Sequence, residues 1–387
     1  PDKSKFIYSR GINLRHWRLS IVDLSKNSDQ PLENEKFLFA YNGEIYDYKS
    51  ISKSILKKNL NSDTLTLFSI LNKSNNLKCL KKFSGFYSYV YFDKKKNNLV
   101  FSRDVLGKKF LYFYQDQEKF IISSEEKGIL NFIRPKINSS SITEYLFFKN
   151  LFFGKTYFDK IKLIPPGCIS KFDLTNWKLK HEFSWNSFYK RKIFVKKNNN
   201  FEISNLLNNS IKQRNICDVK TQLALSSGFD SNLILEKILL NKDIKNFYRA
   251  IGVGFDTKNN ENFITKKINK NKKFYFKEVI YNKKNILNDI KKCIHFNDGP
   301  LEHPNYVGID RLCKEARKKG KVLLSGEGAD DLFFGYDHYK KKKISNSFAF
   351  RDFFIKKSLD KILNNKSNKL VLDKTKKQIN YNFYRKL

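Results

Sequence analysis

The sequence predicts two unlike halves: a strand-rich α+β half over residues 1–190 and an α/β half with a parallel sheet over residues 201–387. Three observations lead there. Short aromatic and β-branched runs alternate with turn residues through the first half, as in FLFAYNGEIY, SGFYSYVYFD, NNLVFSRD, KFLYFYQD and KFIISSE. From about residue 220 strands alternate with helical segments, the pattern of parallel strands joined by crossover helices. Two stretches, Leu223–Leu235 and Lys321–Tyr336, each run from a short apolar strand into a turn of small residues.

Bulk properties narrow the classes. A length of 387 residues allows two domains or three small ones, and 40% hydrophobic residues with 15% aromatics supply packed cores. No apolar run approaches a membrane-spanning helix and the start carries no secretory signal, so the expected compartment is the cytoplasm, with no membrane partner. The five cysteines are scattered without CxxC spacing, which suggests free thiols rather than zinc ligands or disulfides. The net charge of +38 invites a nucleic-acid reading. Lysine, however, is spread along the whole chain with asparagine, isoleucine and phenylalanine, a drift toward A/T-rich codons rather than a basic face. No nucleic-acid-binding signature accompanies it, so no nucleic acid is expected.

The stretch LALSSGFDSNLIL is built like a phosphate cradle. Leu223, Ala224 and Leu225 suit a buried strand; Ser226, Ser227 and Gly228 turn; a helix starts near Ser231. Backbone N–H groups at such a helix start face an anion, and small side chains let it come close. Asp230 beside the turn can hold Mg²⁺ against a polyphosphate. The Walker pattern is absent, and on these residues alone an ordinary strand–turn–helix reads equally well. The second stretch, KVLLSGEGADDLFFGY, repeats the strand and turn and adds Glu327, Asp330 and Asp331. Carboxylates so close repel one another unless a cation is present. Ligands of open α/β sheets sit at the carboxyl ends of strands, so two such ends can face one nucleotide. Between residues 201 and 216, Ile203, Leu206, Leu207 and Ile211 recur at helical spacing and lead into the first strand.

With these residues in hand a resemblance becomes specific. LSSGFDS resembles the PP-loop of ATP pyrophosphatases, and LSGEGADDLFFGY resembles a signature of the asparagine synthetase family. RLSIVDLS, Gln30-Pro31, YNGEIY, Ser62-Asp63-Thr64, FSGFYSYVYFD, SRDVLGKKFLY, SSEEKGIL and IPPG resemble that family's glutaminase domain, in the family's order. The resemblance implies an N-terminal-nucleophile (Ntn-type) glutaminase sandwich over 1–190, lacking its start, followed by a PP-loop synthetase domain over 201–387, incomplete at its end. It also implies glutamine, aspartate and ATP as substrates, Mg²⁺ as the metal, and a homodimer.

Roles carry over at matching positions. Arg18 and Asp63 resemble the groups that hold the α-carboxylate and α-ammonium of glutamine, with Glu44 assisting. Asn42 and the N–H of Gly43 resemble the oxyanion hole, although Asn-Gly alone equally signals a hairpin turn. Leu225, Ser226, Gly228, Asp230 and Ser231 resemble the ATP pyrophosphate site, Val253 the adenine-packing strand, and Ser325, Gly326 and Glu327 the rest of the nucleotide site. Asp230 and Asp330 are the implied metal ligands. The family's nucleophile is a cysteine at the mature amino terminus, expected a few dozen residues before Pro1, and none of the five cysteines present replaces it. A catalytic lysine is expected beyond the recognisable motifs and cannot be placed within 337–387.

Three departures stand out. Asp298-Gly299-Pro300 replaces an acidic Asp-Glu-Pro, Ser227 replaces a glycine where positive φ would be disfavoured, and Asp331 stands for glutamate. The region from Ile164 to about residue 200 is expected to link the domains. The expected reaction adenylates the aspartate side chain, releases pyrophosphate, and admits ammonia from glutamine. Alternatives are amidation of another carboxylate in surface-polysaccharide or secondary metabolism, β-lactam closure without glutaminase activity, and a non-catalytic nucleotide-binding remnant.

Overall fold

The computed structural model describes residues 1–73, 83–183, 200–255, 261–281, 286–303, 305–333 and 335–336. Its first half contains a β1 (Lys3–Ser9) and β2 (Ile12–Arg18) hairpin, then β3 (Leu32–Glu33), β4 (Phe37–Ile45), α1 (Tyr48–Ile51) and α2 (Asp63–Lys73). There follow β5 (Gly85–Asp93), β6 (Asn98–Arg103), β7 (Tyr112–Gln115), β8 (Phe120–Ser123), α3 (Glu126–Leu130) and α4 (Ser139–Phe148). This half closes with β9 (Ile161–Leu163), β10 (Cys168–Asp173) and β11 (Lys178–Phe183).

A six-stranded antiparallel sheet, in the order β11-β10-β6-β5-β4-β3, is the centre of this half. Alternation along β4 and β5 sorts their side chains between two cores. Phe39, Tyr41, Tyr87, Tyr89 and Tyr91 meet α1 and α2 through Tyr48, Ile51, Leu67 and Ile70. Leu38, Phe92 and Phe101 meet Leu111, Phe113 and Phe172, bringing in the three-stranded sheet β8-β7-β9. With both faces covered, these strands read as nearly unbroken apolar runs. Residues 168–183 therefore belong to the sheet rather than to an interdomain link: β10 pairs with β6 and β11 with β10. The lysine- and asparagine-rich stretch expected to finish that link falls, up to residue 199, outside the described residues.

The second half contains α5 (Asn200–Arg214), β12 (Thr221–Ala224), α6 (Phe229–Leu240), β13 (Phe247–Phe255), α7 (Glu261–Ile268) and β14 (Phe276–Tyr281). It continues through α8 (Ile286–Asn297), α9 (Asn305–Arg317), β15 (Val322–Leu324) and α10 (Ala329–Phe333). Its four strands form a wholly parallel sheet in the order β14-β13-β12-β15. Leu223, Leu225 and Ala250 pack with Ile211 of α5 and with Leu235 and Ile238 of α6. Of the apolar stripe expected on α5, Ile211 is buried, while Ile203 and Leu206 are exposed.

Contacts divide the chain into one unit from Pro1 to Gly326 and a second from Glu327 to Leu387. All four sheets belong to the first unit, where Asp2 pairs with Lys321 at 2.6 Å and Asp218 accepts the Asp23 N–H at 2.7 Å. No described helix is long and apolar enough to cross a membrane.

Candidate active sites

The first site lies on β4 and the start of α2. Asn42 and Gly43 are inside β4, opposite Ser88 and Tyr87 of β5, so the hairpin-turn alternative does not hold. Only glycine fits the second position. Its φ is +147°, and a Cβ would lie 2.1 Å from the Phe86 carbonyl oxygen and 2.6 Å from the Tyr87 Cα. The strand thus presents the Asn42 side chain and a bare Gly43 backbone side by side, next to Glu44.

Asp63 is buried at the start of α2. Its carboxylate accepts from Tyr41 Oη at 2.8 Å, Ile45 N at 3.3 Å and Thr64 N at 2.7 Å. Burial pushes its carboxyl up despite these donors. Glu44 is pushed up to about 7 by burial and then by the Asp63 charge, while Lys109 opposes the rise. A buried and a half-buried carboxyl group of like charge make a place where an ammonium group would be welcome. Lys109 is itself pushed down by burial, and its ammonium lies 5.3 Å from the Phe86 ring centroid. That placement puts a cation beside Glu44, a neighbour that sequence reasoning did not single out although GKKFLY carried it.

Arg18 is buried, but both η nitrogens are engaged by the chain itself. Nη1 donates to Ser25 O at 2.8 Å and to Asp29 at 2.7 Å, and Nη2 to Val22 O at 3.2 Å and to Asp23 O. A glutamine carboxylate would have to displace at least one of these acceptors. Arg18, Asp29 and Gln30 with Lys3–Lys5 line a cavity of about 340 Å³. Ser28 links this arginine loop to the start of α2, meeting Asp23 on one side and Ser62 Oγ at 2.7 Å on the other.

The second site lies at the carboxyl ends of β12 and β15, which are hydrogen-bonded neighbours. Leu225 N is fixed to Ile251 O at 2.8 Å, and the turn Ser226–Gly228 leads straight into α6. Ser226 Oγ accepts from Gly228 N at 3.1 Å and meets Ser231 Oγ at 3.1 Å. Asn232 Nδ2 donates to Ser226 O at 2.9 Å and Gly228 O at 2.7 Å. These side chains occupy the acceptors of the turn and hold its shape. Ser227 does not adopt positive φ, so the serine is accommodated without strain. Its N–H and Oγ both donate to a carboxylate oxygen of Glu261, the N–H at 2.6 Å. Glu261, the first residue of α7, is a neighbour of the loop that no sequence signal marked.

Gly326 approaches the same turn. A Cβ placed on it would lie 3.1 Å from Asp230 Cβ and 3.3 Å from Ser231 N. Asp230, in the first turn of α6, is the carboxylate at this meeting point and suits Mg²⁺, which takes few protein ligands beside phosphate oxygens. Val253 lies on β13 with Gly308 of α9 close enough that a Cβ there would be 3.4 Å from Val253 Cγ1. Ser325 is exposed at the end of β15. Glu327 and Asp330 belong to the second unit, where Gly335 N donates to Asp330 O at 2.9 Å.

Two known domains match in sequence: "Glutamine amidotransferase domain" over residues 1–184 and "Asparagine synthase" over residues 202–386. A protein of Methanocaldococcus jannaschii assigned as a glutamine-hydrolyzing asparagine synthetase is 30% identical over 365 residues, 87% of this chain and 69% of that protein. The chain belongs to the asparagine synthetase family. Asparagine synthetase [glutamine-hydrolyzing] 1 of Bacillus subtilis is 25% identical over 360 residues, 88% of this family member and 54% of that protein. Amidase chry2 of Gibberella zeae is 23% identical over 357 residues, 86% of this chain and 53% of its own length. This asparagine synthetase relative thus spans between 53% and 69% of the proteins it matches.

Proposed function

We propose that the chain catalyses ATP-dependent amidation of a carboxylate, with aspartate as the acceptor and glutamine as the source of ammonia. The observation that carries this reading is the meeting of the two loops: Gly326 of LSG lies against Asp230 and Ser231 of LSSGFDS, at the ends of adjacent parallel strands. Ser226, Gly228 and Ser231 would cradle the pyrophosphate of ATP, with Val253 toward the adenine. Mg²⁺ held by Asp230 would neutralise phosphate charge. The acceptor carboxylate would attack the α-phosphate, forming an acyl-adenylate and releasing pyrophosphate. Ammonia would then displace AMP and leave an amide.

In the first half, Asp63 and Glu44 would hold the ammonium group of glutamine, with Arg18 exchanging one backbone acceptor for its carboxylate. The Asn42 amide and Gly43 N–H would donate to the oxygen that gains charge as the side-chain carbonyl is attacked. A cytoplasmic location and a homodimer complete the proposal. The likeness to an amidase from a fungus favours, as a second reading, amidation of a carboxylate other than aspartate.

Pyrophosphate release from Mg–ATP, measured with aspartate and free ammonium on the full-length polypeptide, tests the synthetase half without needing glutamine hydrolysis. Aspartate-dependent release that falls at least a hundredfold in Asp230→Ala supports the first reading. Nucleotide binding without aspartate-dependent release transfers the proposal to another acceptor. No nucleotide binding refutes the enzyme reading.

A further inference from the structure

The residues Ser124–Lys127, between β8 and the first turn of α3, connect the two halves of the first unit. At one end Ser124 Oγ accepts from the Asn42 side-chain amide at 3.4 Å. At the other end a carboxylate arrives from the second half. Asp298, just after α8, accepts the Glu126 N–H at 3.0 Å and pairs with Lys127 Nζ at 2.8 Å. Lys127 also pairs with Glu125 at 3.1 Å. The Asp298 side chain is only 12% exposed, and its φ of +54° is one that aspartate tolerates better than most residues. The neighbouring Gly299 sits against Tyr157 of the first half, where a Cβ would come within 2.6 Å of the ring. A glutamate at this position, as in Asp-Glu-Pro, would force the ring away, so the departure read in the sequence has a packing reason.

We propose that Asp298 is a positioning residue for glutamine hydrolysis: from the ATP-using half it fixes the strap Ser124–Lys127, and through Ser124 the amide of Asn42. This rests on the reading of Asn42 as an oxyanion donor. Such a donor works only about 2.7–3.1 Å from the charge that develops, and a misplacement of about 1 Å costs on the order of a hundredfold in rate. Glutamine binding rests on different groups, Asp63, Glu44 and Arg18, so loosening the strap should lower kcat and spare KM. A change at the nucleotide-binding half that moves the loop after α8 would reach Asn42 by this route.

The test uses the full-length polypeptide and compares glutaminase kcat and KM with ammonium-dependent pyrophosphate release. Asp298→Asn keeps the shape and one acceptor oxygen but loses the ion pair. It should lower glutaminase kcat about tenfold, leave KM within twofold, and leave the ammonium-dependent reaction within twofold. Lys127→Met, which changes a partly exposed side chain, should do the same and serves if the Asp298 variant fails to fold. The double variant should be no worse than either single change, because both cut one link. Glutaminase kcat within twofold of the parent in both single variants overturns the proposal, as does an equal fall in both activities. A separate arm, Asn42→Ala, tests the underlying reading: unchanged glutamine hydrolysis there removes the oxyanion role whatever Asp298 does.

Discussion

Glu126 gives the sharpest physical prediction of the structure. It is 5% exposed at the junction of the two halves, and its Oε2 has no hydrogen-bond partner among the described residues. Burial, followed by the charge of Asp298, pushes its carboxyl from 4.5 up to about 8, with Thr156 and Lys127 opposing. The sign follows from which state holds the proton. Below about pH 4.5 both folded and unfolded chains carry it. Between there and pH 8 the folded chain keeps it while the unfolded chain ionises, so stability falls as pH rises. Above pH 8 both are ionised and the penalty is complete. A rise from 4.5 to about 8 corresponds to roughly 5 kcal/mol as a ceiling, and relaxation or entry of water should reduce this to about 2–3 kcal/mol. Glu126→Gln keeps the shape and removes the titration. Denaturant unfolding of parent and variant at pH 5 and pH 9 should show the variant ahead by about 2–3 kcal/mol at pH 9 and by less than about 1 kcal/mol at pH 5. An advantage of equal size at both pH values would refute the reasoning, because uncharged packing rather than a buried carboxylate would then be its source.

Two further predictions concern the sites directly. Gly43→Ala should cost more than about 3 kcal/mol of stability, since its Cβ would meet backbone in two places at a positive φ that cannot relax without parting β4 from β5; thermal unfolding of the variant checks it, and a parental transition temperature contradicts the strand geometry. Glu261→Gln should tighten binding of Mg–ATP about fivefold, because the carboxylate now on the Ser227 N–H repels an incoming phosphate by about 1 kcal/mol even at bulk-water screening. Calorimetric titration reads this directly, and weaker binding in the variant would show that Glu261 assists the nucleotide instead.

The legible and the hidden parts of this molecule differ in the distance over which their causes act. β12, its turn and α6 are local: an apolar run, small residues and a helix start follow one another within Leu223–Leu235, and the folded chain keeps that order. Asn42-Gly43 already defeats local reading. Its turn signal is overridden because β5 supplies a partner for every residue from Phe37 to Ile45, and a strand buried on both sides outweighs one dipeptide's preference. The stretch after Ile164 fails similarly, since Pro165-Pro166-Gly167 reads as a connector until β6 is seen to pair with β10. At the sites, contiguous groups such as Asn42, Gly43 and Glu44 could be found by motif. The contacts of Glu261, Lys109 and Asp298 could not, even though Lys109 lies in GKKFLY and Asp298 in Asp298-Gly299-Pro300, because each acts on a residue far along the chain: Glu261 on Ser227, Lys109 on Glu44, and Asp298 on Lys127, 171 positions away. Motifs record which residues touch substrate. The residues that hold those in place are specified by three-dimensional packing, and a single lysine or aspartate among 76 basic and 38 acidic residues carries no mark of that duty.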